Sequence, residues 1–249
     1  MLTDINLLDE EHIEDLGENT YLIVSKSHTF GTDALLLNDF ANVKQKDKAL
    51  DLGTGCGIIP FLWLRDKKAQ SKRCAVEIQK NACDQFCRSK LLNKDETLEL
   101  FQGDLKDGSL LPYREYFDVV TMNPPYKIGG AGIKNEDECA RIARHEIACN
   151  IDDITKCAAR VLRFGGKLCI CHRPERTLDA MESMRKNGIE PKIIRFVQKT
   201  GETAPWLVLI NGRKGSVPGL KVEKPLIMQN SDKTPTEEIL QITEKYRKA

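Results

Sequence analysis

The chain has 249 residues, of which 41% are hydrophobic and 30% charged, with a mean hydropathy of −0.40. This leaves enough apolar material for a sizeable core in a soluble domain, and no apolar run approaches the roughly 20 residues that cross a bilayer. Net charge is only +1, but residues 1–125 hold 15 Lys+Arg against 21 Asp+Glu, whereas residues 126–249 hold 23 against 16. The cationic second half suits a phosphate backbone as a partner, or else is a solvated surface.

Residues 1–20 are acidic and lack the apolar stretch of a secretory signal. A cytoplasmic location is therefore expected, and the nine cysteines read as thiols. Cys83 and Cys87 are four apart, Cys169 and Cys171 two apart, and no C-x-x-C pair occurs. Core packing is their expected role, and no metal is expected.

In chain order, residues 1–18 read as a polar, loosely packed lead, and Tyr21–Val24 as a short strand. A loop over Ser27–Gly31 precedes a helix over Ala34–Phe40, with Thr32 or Asp33 as its cap. Lys48–Leu52 is the first central strand. It runs into Gly53-Thr54-Gly55-Cys56-Gly57 and an apolar helix whose Pro60 falls in the first turn. Further strands are expected at Arg73–Glu77, Thr97–Gln102, Phe117–Met122 and Lys167–Cys171, with a helix over Gln79–Leu92. Lys127–Gly132 suits a mobile lid or an ordinary loop. A long helix is expected from Ile142 to Leu162, ended by Gly165-Gly166, and another over Pro174–Lys186. Ile193–Val197 and Trp206–Ile210 have no helix-sized gap between them and are expected to pair antiparallel. Leu220–Met228 reads as extended, and Thr236–Tyr246 as a last helix.

Alternating strands and helices predict an α/β fold with a mainly parallel sheet covered on both faces and a terminal antiparallel hairpin. The expected divisions are an acidic segment at 1–27, the main domain at 28–211 and a tail at 212–249.

Chemistry concentrates at the expected strand ends, where ligands of such sheets bind. Asp51-Leu52-Gly53-Thr54-Gly55-Cys56-Gly57 provides a sharp turn, close backbone approach and free N–H groups at a helix start. Glu77, 24 residues after Gly53, can accept from two ribose hydroxyls. Asp104 can take an adenine amino group or be a plain loop acid. Asn123-Pro124-Pro125-Tyr126 follows the fourth strand. Its prolines stiffen the backbone and hold Asn123 extended. The Asn123 side-chain oxygen and the Pro124 carbonyl are two acceptors suited to one NH2 group, and Tyr126 offers a ring for stacking.

These residues together resemble the class I methyltransferases that use S-adenosylmethionine. The resemblance spans roughly residues 28–211 and implies a Rossmann-like fold with a seven-stranded sheet. It implies a cofactor site at Asp51, Gly53, Thr54, Gly55, Gly57, Glu77, Ile78, Asp104 and Asn123. Phe30 lies over the cofactor in this reading, or is a core aromatic. Asn123-Pro124-Pro125-Tyr126 resembles the catalytic motif of the amino-methyltransferases.

Phe30-Gly31-Thr32-Asp33-Ala34-Leu35-Leu36-Leu37, Val76-Glu77-Ile78-Gln79, Ala143-Arg144-His145-Glu146 and His172-Arg173-Pro174-Glu175-Arg176 are more specific. They resemble the bacterial tRNA1(Val) (adenine-37) N6-methyltransferase family, which implies tRNA as partner and adenine 37 as target. Cys56 departs from that family, whose members often carry Asn or another small polar residue there. Candidate RNA contacts are Lys127, Arg144, His145, Arg173 and Arg176, with an ion-paired helix start the other reading of Arg144 and His145. A monomer or weak homodimer is expected. Methylation of an rRNA base or of a protein glutamine uses the same tetrapeptide, and a non-catalytic RNA-binding protein could keep the fold. The short stretch before Gly53 disfavours release-factor glutamine, whose methyltransferases carry a helical N-terminal domain.

Overall fold

The computed structural model describes residues 5–124 and 150–243. A hairpin of β1 (Glu11–Gly17) and β2 (Thr20–Ser25) comes first, followed by α1 (Thr32–Ala41). Then come β3 (Lys48–Leu52), α2 (Ile58–Arg65), β4 (Lys72–Glu77), α3 (Lys80–Leu92), β5 (Leu98–Gln102) and β6 (Phe117–Met122). After residue 149 follow α4 (Ile151–Val161), β7 (Leu162–His172), a 3-10 turn (Pro174–Arg176), α5 (Thr177–Lys186), β8 (Ile189–Gln198) and β9 (Pro205–Lys214). The two-residue strands β10 (Lys221–Val222) and β11 (Leu226–Ile227) and α6 (Glu237–Thr243) close the described chain.

One sheet runs β10-β8-β9-β7-β6-β3-β4-β5, with β11 also on β8. The seven expected strands are all present. Among the described strands of this sheet, only β9 runs against its neighbours, β7 and β8. The extended run expected over Leu220–Met228 resolves into β10 and β11, which pair parallel to β8 and bring the sheet to nine strands among the described residues. From β3 the chain winds outward through β4 to β5, then returns to place β6 on the other side of β3. That reversal opens a crevice at the carboxyl ends of β3 and β6.

Both faces of the parallel strands are buried, which is why they read as continuous apolar runs. One face packs Ala49, Phe61, Trp63, Phe86 and Cys169 with α1 and α2. The other packs Leu50, Phe117, Leu168 and Ile170 with α4 and α5. In the C-terminal stretch, Ile239 and Ile242 of α6 join the first of these clusters, and α6 contacts α1.

Four expectations need correction. The lead is not loose throughout: residues 11–17 form β1, anchored by buried Leu16. Glu18 and Asn19, with φ of +51° and +55°, make the tight turn into β2. Gly31, and neither Thr32 nor Asp33, occupies the cap position of α1. The helix expected from Ile142 starts, among the described residues, at Ile151, where Asn150 and Asp153 cap each other reciprocally. Gly165-Gly166 do not end that helix: it passes at Leu162 directly into β7, and the glycines lie within the strand. A Cβ on Gly166 would stand 2.9 Å from the Phe117 carbonyl oxygen, where the β6–β7 register shifts.

The outer edge of β2 is met by side chains from α3 and its C-terminal cap. Asn93 exchanges two hydrogen bonds with the Tyr21 backbone (2.8 and 2.6 Å). Ser89 Oγ accepts from Ile23 N (2.9 Å), and Gln85 donates to Ile23 O (2.7 Å). Among the described residues, no helix is long and apolar enough to cross a membrane.

Candidate active site

The carboxyl ends of β3 to β6 open into one cleft of about 490 Å³. Phe30, Asp51, Gly53, Thr54, Gly55, Glu77, Ile78, Asp104, Asn123 and Pro124 all line it. Residues more than 90 apart in the chain thus meet at one place, because adjacent parallel strands end at the same level. Lateral hydrogen bonds hold those ends in step, from Thr54 N to Val76 O (3.0 Å) and from Gly103 N to Glu77 O (2.9 Å).

The Gly loop bends through positive φ at Gly53, Gly55 and Gly57. A Cβ on Gly55 would meet nothing within 4 Å, so its backbone borders open space in the cleft wall. Gly57 does not line the cleft. Its Cα faces inward, and a Cβ there would stand 2.5 Å from the Phe86 ring.

Glu77 is 3% exposed, and three backbone N–H groups orient its carboxylate. Oε2 accepts from Gly55 N (2.8 Å), and Oε1 from Ile78 N and Gln79 N (2.9 Å each). A carboxylate has about four acceptor sites, so Glu77 can still take a hydroxyl from the cleft. A buried carboxylate fixed this way, beside backbone that ligand can approach, fits the ribose end of S-adenosylmethionine. Asp104 lies in the turn after β5, where it accepts from Lys106 N (2.9 Å) and pairs with Lys106 Nζ (3.3 Å). Phe30 lines the cleft and packs on the core. Cys56 is buried in the loop, and burial pushes its thiol up to about 12.

Asp51 is 2% exposed. Burial pushes its carboxyl up to about 7 against the opposing pull of the Thr121 hydroxyl, which donates to Oδ1 at 2.6 Å. Thr54 also favours the charged form, although no hydrogen bond of ordinary geometry joins it to Asp51, and the nearby charge of Glu77 raises the value further. The folded chain therefore holds this proton to higher pH than the unfolded chain, whose value is 3.8. The resulting stability is full below about pH 4, declines as pH rises toward 7, and changes no further above it. The difference in unfolding free energy between the parent chain and Asp51→Asn should fall by a few kcal/mol, on the order of 1.4 per pH unit, across that window. Urea midpoints measured from pH 4 to 8 test this, and parallel curves would rule it out.

Asn123 follows β6, and its carboxamide is held at both ends. Nδ2 donates to Asp33 Oδ2 (3.1 Å), and Oδ1 accepts from the Cys171 thiol (3.0 Å). Neither partner was expected to touch Asn123: Asp33 reads as a helix cap within the Phe30–Leu37 run and Cys171 as a core thiol. The cleft also includes Leu105 and a His28–Gln79 hydrogen bond (3.3 Å), for which the sequence holds no signal. Arg173 and Arg176 lie beyond the end of β7, the strand next to β6, where Arg176 pairs with Asp179 (2.9 Å). Pro125, Tyr126, Lys127, Arg144 and His145, and with them the expected lid, lie outside the described residues. Among the described residues, no group of three or more His, Cys, Asp or Glu is arranged to hold a metal ion.

The chain is similar to the tRNA1(Val) (adenine(37)-N6)-methyltransferase of Actinobacillus pleuropneumoniae serotype 7, with 25% identity over 219 residues covering 86% of this chain and 88% of the relative. The Parabacteroides distasonis enzyme of the same name is 24% identical over 185 residues, covering 72% and 74%. Among solved structures, a predicted O-methyltransferase, Atu636 from Agrobacterium tumefaciens, superposes with a TM-score of 0.67 at 18% identity, covering 86% of this chain and 96% of that one. TYW2 of M. jannaschii, solved in complex with AdoMet, superposes with a TM-score of 0.54 at 13% identity, covering 84% and 87%. These likenesses bear out the Rossmann-like methyltransferase fold. The family model described as "methyltransferase small domain" matches residues 24–187, which include β3 to β6, the cleft and Asn123, and the chain belongs to that family.

Proposed function

We propose that the chain transfers a methyl group from S-adenosylmethionine to the exocyclic N6 of an adenine in tRNA, with adenine 37 of tRNA1(Val) as the target. The observation that carries this reading is the Asn123 carboxamide, held at the lip of the cleft that contains Glu77. The relatives' names and the cationic second half of the chain support RNA as the substrate.

The cofactor supplies a sulfonium-bound methyl group when bound. Glu77 would take a ribose hydroxyl, the Gly loop would border the cofactor, and Asp104 would take its adenine amino group. Phe30 and Ile78 supply apolar cover on the cofactor side. The target adenine leaves its stack to enter the cleft. The N6 lone pair of adenine is delocalised into the ring and is a poor nucleophile. Asn123 Oδ1 and the Pro124 carbonyl accept its two protons, which favours a pyramidal nitrogen with its lone pair turned toward the methyl group. Pro125 stiffens this support, and Tyr126 stacks on the base, at roughly 1–3 kcal/mol. Once alkylated, the nitrogen is acidic enough to lose a proton to water, so positioning and charge placement supply most of the rate. Lys127, Arg144, His145, Arg173 and Arg176 hold the phosphate backbone, and the reaction takes place in the cytoplasm.

Labelled methyl transfer onto separate pools of total tRNA, rRNA and protein tests the reading. The expected product is N6-methyladenosine in tRNA, and label confined to protein would overturn it.

A further inference from the structure

The oxygen and nitrogen ends of an Asn carboxamide have nearly the same shape, so the side chain can present either to a ligand. A site that must accept the protons of an NH2 group works only with the oxygen outward, so something has to choose. We infer that Asp33 and Cys171 are positioning residues that lock the Asn123 carboxamide with Oδ1 available to the target amine. This inference rests on the catalytic role proposed for Asn123.

The geometry selects one orientation. A carboxylate oxygen accepts and does not donate, so the group facing Asp33 Oδ2 at 3.1 Å is the Asn123 NH2. Rotating the amide by half a turn would set two acceptor oxygens at that distance. On the opposite side, Cys171 offers an S–H donor at 3.0 Å, which also calls for an oxygen. Both contacts favour the same state, and Oδ1 has two lone pairs, one for the thiol and one for the incoming N6 proton.

Asp33 is itself held. Its other oxygen, Oδ1, accepts from Ala34 N at the start of α1 (3.0 Å). Gly31 gives it room, since a Cβ there would stand 2.6 Å from that oxygen. Cys171 is fully buried at the end of β7. The β6–β7 pairing continues Thr121 opposite Cys169 and Met122 opposite Ile170, which brings Asn123 level with Cys171.

Asp33→Asn is nearly isosteric and sets a competition. If the new oxygen stays on Ala34 N, the new NH2 faces Asn123 and drives its carboxamide to flip. We expect kcat at saturating cofactor to drop about tenfold or more, with the thermal midpoint and the affinity for S-adenosylhomocysteine unchanged. Cys171→Ala removes the thiol donor and should lower kcat several-fold. Cys171→Ser keeps a donor and should restore kcat to within about twofold of the parent chain. Parental turnover by Asp33→Asn overturns the inference. So does lost S-adenosylhomocysteine affinity with kcat kept, which would make Asp33 a cofactor ligand, or a Cys171→Ser variant no better than Cys171→Ala. Asn123→Ala separates the two levels. If it is inactive while Asp33→Asn is fully active, only the positioning role fails. If Asn123→Ala itself turns over normally, the catalytic reading fails and the positioning role with it.

Discussion

Asn123→Ala should bind S-adenosylhomocysteine as tightly as the parent chain and lose roughly 10²–10³-fold in kcat, the usual effect of removing one preorganised polar group from a reaction centre. Binding is expected to survive because the cofactor groups sit on other strand ends: Glu77 is oriented by Gly55, Ile78 and Gln79, not by Asn123. Turnover is expected to fall because alanine leaves the Pro124 carbonyl as the sole acceptor for two protons. Asn123→Asp should do no better, because its second oxygen would face the Asp33 carboxylate across the 3.1 Å now bridged by an N–H. Single-turnover methyl transfer with saturating cofactor measures the effect. A rate within about tenfold of the parent chain would remove Asn123 from the chemistry.

Gly57→Ala should destabilise the fold by about 2–4 kcal/mol, combining left-handed backbone strain with overpacking. At φ +94° the added Cβ would stand 2.5 Å from Phe86 Cδ2 and 3.1 Å from Phe61 Cδ2. Both rings are fully buried, with centroids 5.3 Å apart, so neither can retreat without opening the contact between α2 and α3. Gly55→Ala is the control. Its φ of +57° carries similar backbone strain, but its Cβ would meet nothing within 4 Å of the protein. Urea unfolding should show the larger loss for Gly57→Ala, and the cofactor titration the larger loss for Gly55→Ala. Equal unfolding midpoints for the two would contradict the packing argument.

The central strands were legible in the sequence because they are buried on both faces, which leaves apolar runs such as Phe117–Met122 with the same limits in the fold. The Gly loop, Glu77, Asp104 and Asn123 were legible as strand-end residues for the same reason. β1 was not, since Leu16 is its one fully buried side chain and its turn depends on positive φ at Glu18 and Asn19. Gly165-Gly166 look like a helix stop, but what Gly166 provides is close contact with the Phe117 carbonyl, 49 residues away in the chain. The partners of Asn123 were hidden by the same kind of distance: Asp33 lies 90 residues before it and Cys171 48 after. Nothing local distinguishes an aspartate near a helix start, or a cysteine in a buried strand, as a holder of an amide.

The contacts between α3 and β2 have a consequence for the chain's behaviour among its own copies. A two-stranded ribbon normally leaves unpaired N–H and C=O groups along its outer edge, a template on which a stray extended segment can dock. Gln85 and Ser89 of α3 and Asn93 at its C-terminal cap, spaced four apart, occupy those groups at Tyr21 and Ile23 as a third strand would. The helix thereby closes the ribbon on that side, and the β2 edge is kept from recruiting a neighbouring molecule into a growing sheet.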